Sequence, residues 1–137
     1  MSTVKQFEEL EVWKTSCQLT VLVYKLTGQE AFSKDFGLKD QLCRAAVSVM
    51  SNIAEGFESQ TQAQFVRYLG FAKASAGEAR SQLYIALDIG YLSKEQFQQA
   101  YELADKAIRQ IYRFMAYLKT HPESRRISDD KVGYSLE

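Results

Sequence analysis

Apolar positions recur at intervals of three and four residues through most of the chain, and capping or stop signals divide them into four stretches. The first predicted helix covers about 7–27, with Gly28 as its C-terminal stop. Its apolar residues form two stripes, Leu10/Trp13/Cys17/Tyr24 and Val12/Leu19/Val23/Leu26. Together they cover a wider arc than one bundle core requires, so the second stripe is expected to face another subunit. A loop over 29–36 leads to a second helix at about 37–58, where Leu38, Leu42, Ala46, Val49 and Ile53 share one side. Thr61 to Gln64 has the form of a capping box and opens a third helix, about 61–89, through Phe65, Leu69, Ala72, Ala76, Leu83 and Leu87 to the stop at Gly90. Ser93 to Gln96 repeats the signal for a fourth, about 93–120, carrying Phe97, Tyr101, Ala104, Ile108, Ile111, Met115 and Leu118.

The connections are too short for a chain to cross the length of a bundle before reversing, so the expected fold is all-α, an antiparallel up-down-up-down four-helix bundle. The bundle domain is placed at 1–121 and a flexible C-terminal tail at 122–137, since the tail has no helical period. A length of 137 residues with 46% apolar composition suits one domain with a substantial core. No apolar run approaches membrane-spanning length, and Glu8 and Glu9 stand where a signal peptide would need a basic start, which predicts a soluble cytoplasmic protein without a membrane partner.

Charge and cysteine usage narrow the function classes. Seventeen basic residues balance seventeen acidic ones, so the chain lacks the excess positive charge that drives sequence-independent nucleic-acid binding. Cys17 and Cys43 belong to no metal-ligand spacing and are expected to be reduced, buried thiols. The single histidine, His121, adjoins Pro122 and is expected to be solvated at a helix end. No Glu-x-x-His pair, nucleophile with its base, or phosphate loop is present, so the expectation is no enzymatic activity, no cofactor, no metal and no small-molecule substrate.

Two polar sets remain as candidate sites. Arg44, Ser48, Asn52 and Glu55 line one face of the second helix, opposite a stripe of Ser75, Glu78 and Gln82 on the third. As antiparallel neighbours these form an inter-helix seam in which Arg44 can pair with Glu78; the seam is either a structural network that sets register or the lining of a pocket. General acid–base work could in principle use Glu55 with Glu78, but no nucleophile, phosphate loop or metal ligand accompanies them. The fourth helix interleaves Arg109 and Arg113 with Tyr112, Phe114 and Tyr117, and Arg125 and Arg126 follow, as nucleic-acid contacts often do. The competing reading has Tyr112, Phe114 and Tyr117 joining Val12, Leu19 and Val23 in a subunit interface while the arginines offset the helix dipole. Gly70, Ala74, Gly77 and Ser81 form a strip on the third helix narrow enough for another helix to approach closely.

Several separated runs carry a resemblance over about residues 7 to 118. Phe7 to Lys14 reads FEELEVWK, Gly37 to Ser48 reads GLKDQLCRAAVS, Asn52 to Gly56 reads NIAEG, Phe65 to Leu69 reads FVRYL, and Gly90 to Leu92 reads GYL. In this order they resemble the four-helix-bundle proteins encoded in intervening sequences of bacterial 23S ribosomal RNA genes. The resemblance implies a bacterial protein that assembles as a ring, a homopentamer, with no assigned enzymatic activity. Its polar constellation falls on Arg44, Ser48, Asn52, Glu55, Ser75 and Glu78. Accessory proteins of diversity-generating retroelements are similar in fold and bind reverse transcriptase and nucleic acid, but they are strongly basic and this chain is neutral. The expected function is therefore a non-enzymatic oligomeric scaffold or interaction protein; the alternative is an RNA- or ribonucleoprotein-binding module acting as a ring.

Overall fold

A computed structural model describes residues 4–121; the tail at 122–137, with Arg125 and Arg126, lies outside the described residues. The elements are a 3-10 turn at Phe7–Glu9, α1 (Glu11–Thr27), α2 (Glu30–Lys34), α3 (Phe36–Glu58), α4 (Gln62–Asp88) and α5 (Lys94–Thr120). Four of the five helices are long, and no strand occurs among the described residues.

The punctuation is chemical. Thr61 and Ser93 accept hydrogen bonds from the backbone N–H groups of Gln64 and Gln96, and each glutamine side chain accepts the cap residue's own N–H in return. These reciprocal bonds satisfy donors that every helix start otherwise leaves unpaired. α4 ends in a Schellman motif: Tyr91 N–H donates to the Ala86 carbonyl, Gly90 N–H to that of Leu87, and Gly90 takes φ +84°, where a side chain would be strained.

Two departures from the sequence expectation have tertiary causes. The first helix does not run unbroken from residue 7, because Leu10 is extended and fully buried between the 3-10 turn and α1. The break brings Val4 and Leu10 into the core while Phe7 covers Trp13 at 5.3 Å between ring centroids. The expected loop at 29–36 contains α2, too short to persist by propensity alone. Its buried Phe32 lies 5.0 Å from the Tyr91 ring, and Asp35 beside it caps α3 through Leu38 N–H (3.1 Å) while accepting the Tyr91 hydroxyl (2.9 Å).

α1 and α4 each pack against both α3 and α5. Along the α3/α4 contact, Gln41 meets Gln82, Ser48 meets Ser75, and Gly56 meets Phe65 and Tyr68, so numbers rise on one helix as they fall on the other. Arg80 with Asp105 and Phe65 with Phe114 give the same opposed direction along α4/α5. The interior divides into two apolar clusters. One gathers Leu19, Val23, Phe32, Leu42, Leu83 and Phe97; the other gathers Leu10, Val12, Ile53, Phe57, Phe65 and Phe114. Between them α1 buries Ser16 and Thr20, whose hydroxyls donate to Val12 O and Ser16 O, with Thr20 also reaching Ala46 O on α3 at 3.0 Å.

Candidate functional site

The polar seam assembles in part. Ser48 Oγ and Ser75 Oγ lie 2.9 Å apart, joining α3 to α4, and Asn52 Nδ2 donates to Ser48 O (2.8 Å) and Ser48 Oγ (2.9 Å). These half-buried groups satisfy one another. Arg44 does not pair with Glu78: its Nε binds Asp40 one turn back at 2.9 Å, with both side chains mostly exposed. An i, i+4 partner on the same helix is reached without spanning the gap between helices. Arg44 and Glu78 instead border a cleft of about 290 Å³ with Gln41, Ala45 and Ser48.

Glu55 and Glu78 do not meet as an acid–base pair. Given the register of Ser48 against Ser75, Glu78 stands level with Ala45, whereas Glu55 lies ten residues further along α3, an axial separation of roughly 15 Å. Both are exposed. Among the described residues no cluster of three His, Cys, Asp or Glu could hold a metal ion, and no helix is long and apolar enough to cross a membrane.

The interface assignment on the first helix is reversed by the structure. Val12, Leu19 and Val23 are fully buried in the chain's own core, and Phe114 joins them there, edge-on to Phe65 at 5.5 Å. Burying such side chains contributes about 1.5–3 kcal/mol each, so they are held inside rather than offered to a neighbour. The other stripe is the more exposed one: Leu10 is buried, but Trp13 and Cys17 are half-buried and Tyr24 is exposed, as is the neighbouring Val21. Cys43 is buried with its Sγ 3.4 Å from Thr27 Oγ1, as expected of it; Cys17 is only half-buried. Tyr112 remains 63% exposed, and Tyr117 stacks on His121 at 4.1 Å. His121 Nδ1 lies 2.9 Å from the Tyr117 carbonyl, so the histidine closes the end of α5.

Two apolar surfaces were not singled out by sequence reasoning. One is a groove of about 960 Å³ between α1 and α5, floored by Trp13, Cys17, Val21, Leu22 and Leu103. Lys14, Lys25, Lys106 and Arg109 stand around it, with Gln18, Gln99 and Glu102. The other is the outer side of α4, where Phe71 (46%), Ile85 (50%) and Ile89 (53%) are exposed; Tyr84, next to Ile85 in the chain, is exposed too but packs its ring against Phe97 and Tyr101 of α5. Their signal was present: Phe71 and Ile85 are two heptads apart, on the side of the helix away from Leu69, Ala72 and Leu83. Gly77 belongs to this outer side, and a Cβ built on it meets nothing within 4 Å.

On α5, Arg109 Nε binds Asp105 at 3.2 Å, and Asp105 also accepts Arg80 Nη1 at 3.1 Å. Arg113 is half-buried one turn further on. One carboxylate thus offsets part of the basic patch expected to contact nucleic acid.

The family model for the 23S rRNA-intervening sequence protein matches residues 8–113. No curated protein matches the chain. Among solved structures, similarity is found to a Bacteroides thetaiotaomicron crystal structure, described as a protein with unknown function from the S23 ribosomal protein family. That similarity has a TM-score of 0.70 at 23% identity and covers 76% of this chain and 97% of that one.

Proposed function

This chain belongs to the 23S rRNA-intervening sequence protein family, and from that premise we propose that it acts in the cytoplasm as a non-enzymatic, homo-oligomeric helical scaffold. Its four long helices are taken as an up-down-up-down bundle whose outer α4 side meets a different patch on the next copy. The observation that carries this reading is the outer side of α4, where Phe71, Ile85 and Ile89 are each about half exposed. Apolar side chains grouped in this way on a helix usually mark a contact surface. Gly77 and the exposed Ala74 and Ser81 leave room beside them for a second helix to approach closely.

The test is light scattering at micromolar concentration. The expected result is a discrete oligomer, a ring of five if the family resemblance extends to subunit number, with Ile85→Asp shifting the mass toward the monomer. A stable monomer in the unmodified chain sinks the proposal. Binding of RNA by Arg109 and Arg113 has weaker support, because Arg109 already forms an ion pair with Asp105. Absence of binding to structured RNA at low salt would end that alternative.

A further inference from the structure

We propose that the α1/α5 groove is a docking site for an amphipathic helix with acidic flanks, supplied by a partner protein. The groove faces away from the surface assigned to self-association, since α1 packs against α3 and α5 and makes no extensive contact with α4. Its floor is apolar: Trp13, Cys17, Val21 and Leu22 come from α1 and Leu103 from α5. Two helices with an open furrow between them are shaped to receive a third, whose side-chain ridge fills the furrow. From Trp13 to Lys25 the furrow runs roughly 18 Å, matching an occupant of three to four turns.

Charge selects among occupants of that shape. Four basic side chains and one acidic one, Glu102, border the groove. Lys14 is paired with Glu11 and Arg109 with Asp105, whereas Lys25 and Lys106 have no ion-pair partner among the described residues. A helix carrying Asp or Glu on both flanks of its apolar stripe would meet these two lysines. Single-stranded RNA would also meet them, but it requires rings on which successive bases stack, and the floor supplies only Trp13. The aliphatic floor therefore favours a helix.

Trp13 is the only tryptophan in the chain, so its emission reports the groove directly. The probe is a designed, fluorescein-labelled peptide of about 15 residues, with leucines at i, i+4, i+7 and i+11 and glutamates on both flanks. Titrated with the full chain, it should bind saturably and shift Trp13 emission to the blue. Leu103→Glu should weaken binding at least tenfold, and the double change Lys25→Glu with Lys106→Glu by about tenfold. If Leu103→Glu loses native helicity, Val21→Glu at the half-exposed edge of the floor takes its place. The proposal is overturned if the peptide fails to bind, if a scrambled or lysine-flanked peptide binds equally well, or if single-stranded RNA displaces the peptide and shifts Trp13. It is also overturned if diluting the unliganded protein through oligomer dissociation shifts Trp13 emission, because a second copy then fills the groove. A monomeric mass alone would remove the scaffold reading and leave this one standing.

Discussion

A Cβ placed on Gly56 of α3 would sit 2.7 Å from Tyr68 Cβ on α4, and also 3.3 Å from the Phe65 carbonyl oxygen. Those atoms are fixed to the α4 backbone, so the helices would have to move apart rather than one side-chain tip swing away. Exchanging glycine for alanine inside a helix ordinarily gains about 1 kcal/mol, and overpacking costs about 1–3 kcal/mol. Steric cost wins here because the atoms met cannot move independently of the α4 backbone. Gly56→Ala should lower stability by about 1–2 kcal/mol in urea unfolding, and an unchanged or raised midpoint would refute the close approach.

Gly77→Ala should have the opposite sign. The position is helical, its φ needs no glycine, and an added methyl group meets nothing within 4 Å in the chain. The helix should gain about 0.5–1 kcal/mol. Thermal melting measures that gain, while light scattering on the same sample shows whether the oligomer tolerates the methyl group. A gain in stability with a fall in mass would place Gly77 at the contact between copies.

Ser48 and Ser75 allow a double-mutant cycle. Ser48→Ala alone removes a partner from both Ser75 Oγ and Asn52 Nδ2 and should cost about 1 kcal/mol, with half-burial limiting the penalty. Replacing both serines should cost less than the two single changes added together, because the second change removes a group already without its partner. Additive costs would mean that the 2.9 Å contact carries no coupling.

The Tyr91 hydroxyl donates to Asp35, and this bond, followed by burial and the nearby carboxylate charge, raises its pKa above the usual 10.0. A raised folded-state value favours the protonated form. Its contribution to stability is therefore complete below pH 10 and is lost as pH rises through the raised value. The stability difference between the natural chain and Tyr91→Phe should be constant from pH 7 to 9 and shrink above pH 10. Melting curves of both proteins across that range test it; a difference that grows with alkalinity contradicts the bond.

How much was legible in the sequence differs between elements. The two capping boxes and the Gly90 stop were visible because each bond joins residues at most five apart, so spacing alone fixes the geometry. The α2 turn was not, because a five-residue helix depends on Phe32 docking against Tyr91, fifty-nine residues away. The seam was half legible: Ser48, Asn52 and Ser75 came together as their spacing suggested, whereas Arg44 took the nearer Asp40.

The sequence by itself determined that this chain is helical, where three of its four long helices begin and end, and to which family it belongs. These properties rest on local spacing and on motifs in order along the chain. Only the tertiary structure decided which stripe of α1 is buried. Both stripes are apolar at helical intervals, and the choice depends on where α3, α4 and α5 converge. They enclose Val12, Leu19 and Val23, and leave Trp13, Cys17 and Val21 along the groove beside α5. Periodicity measures how apolar a face is; which face lies inside follows from the packing of all four long helices together.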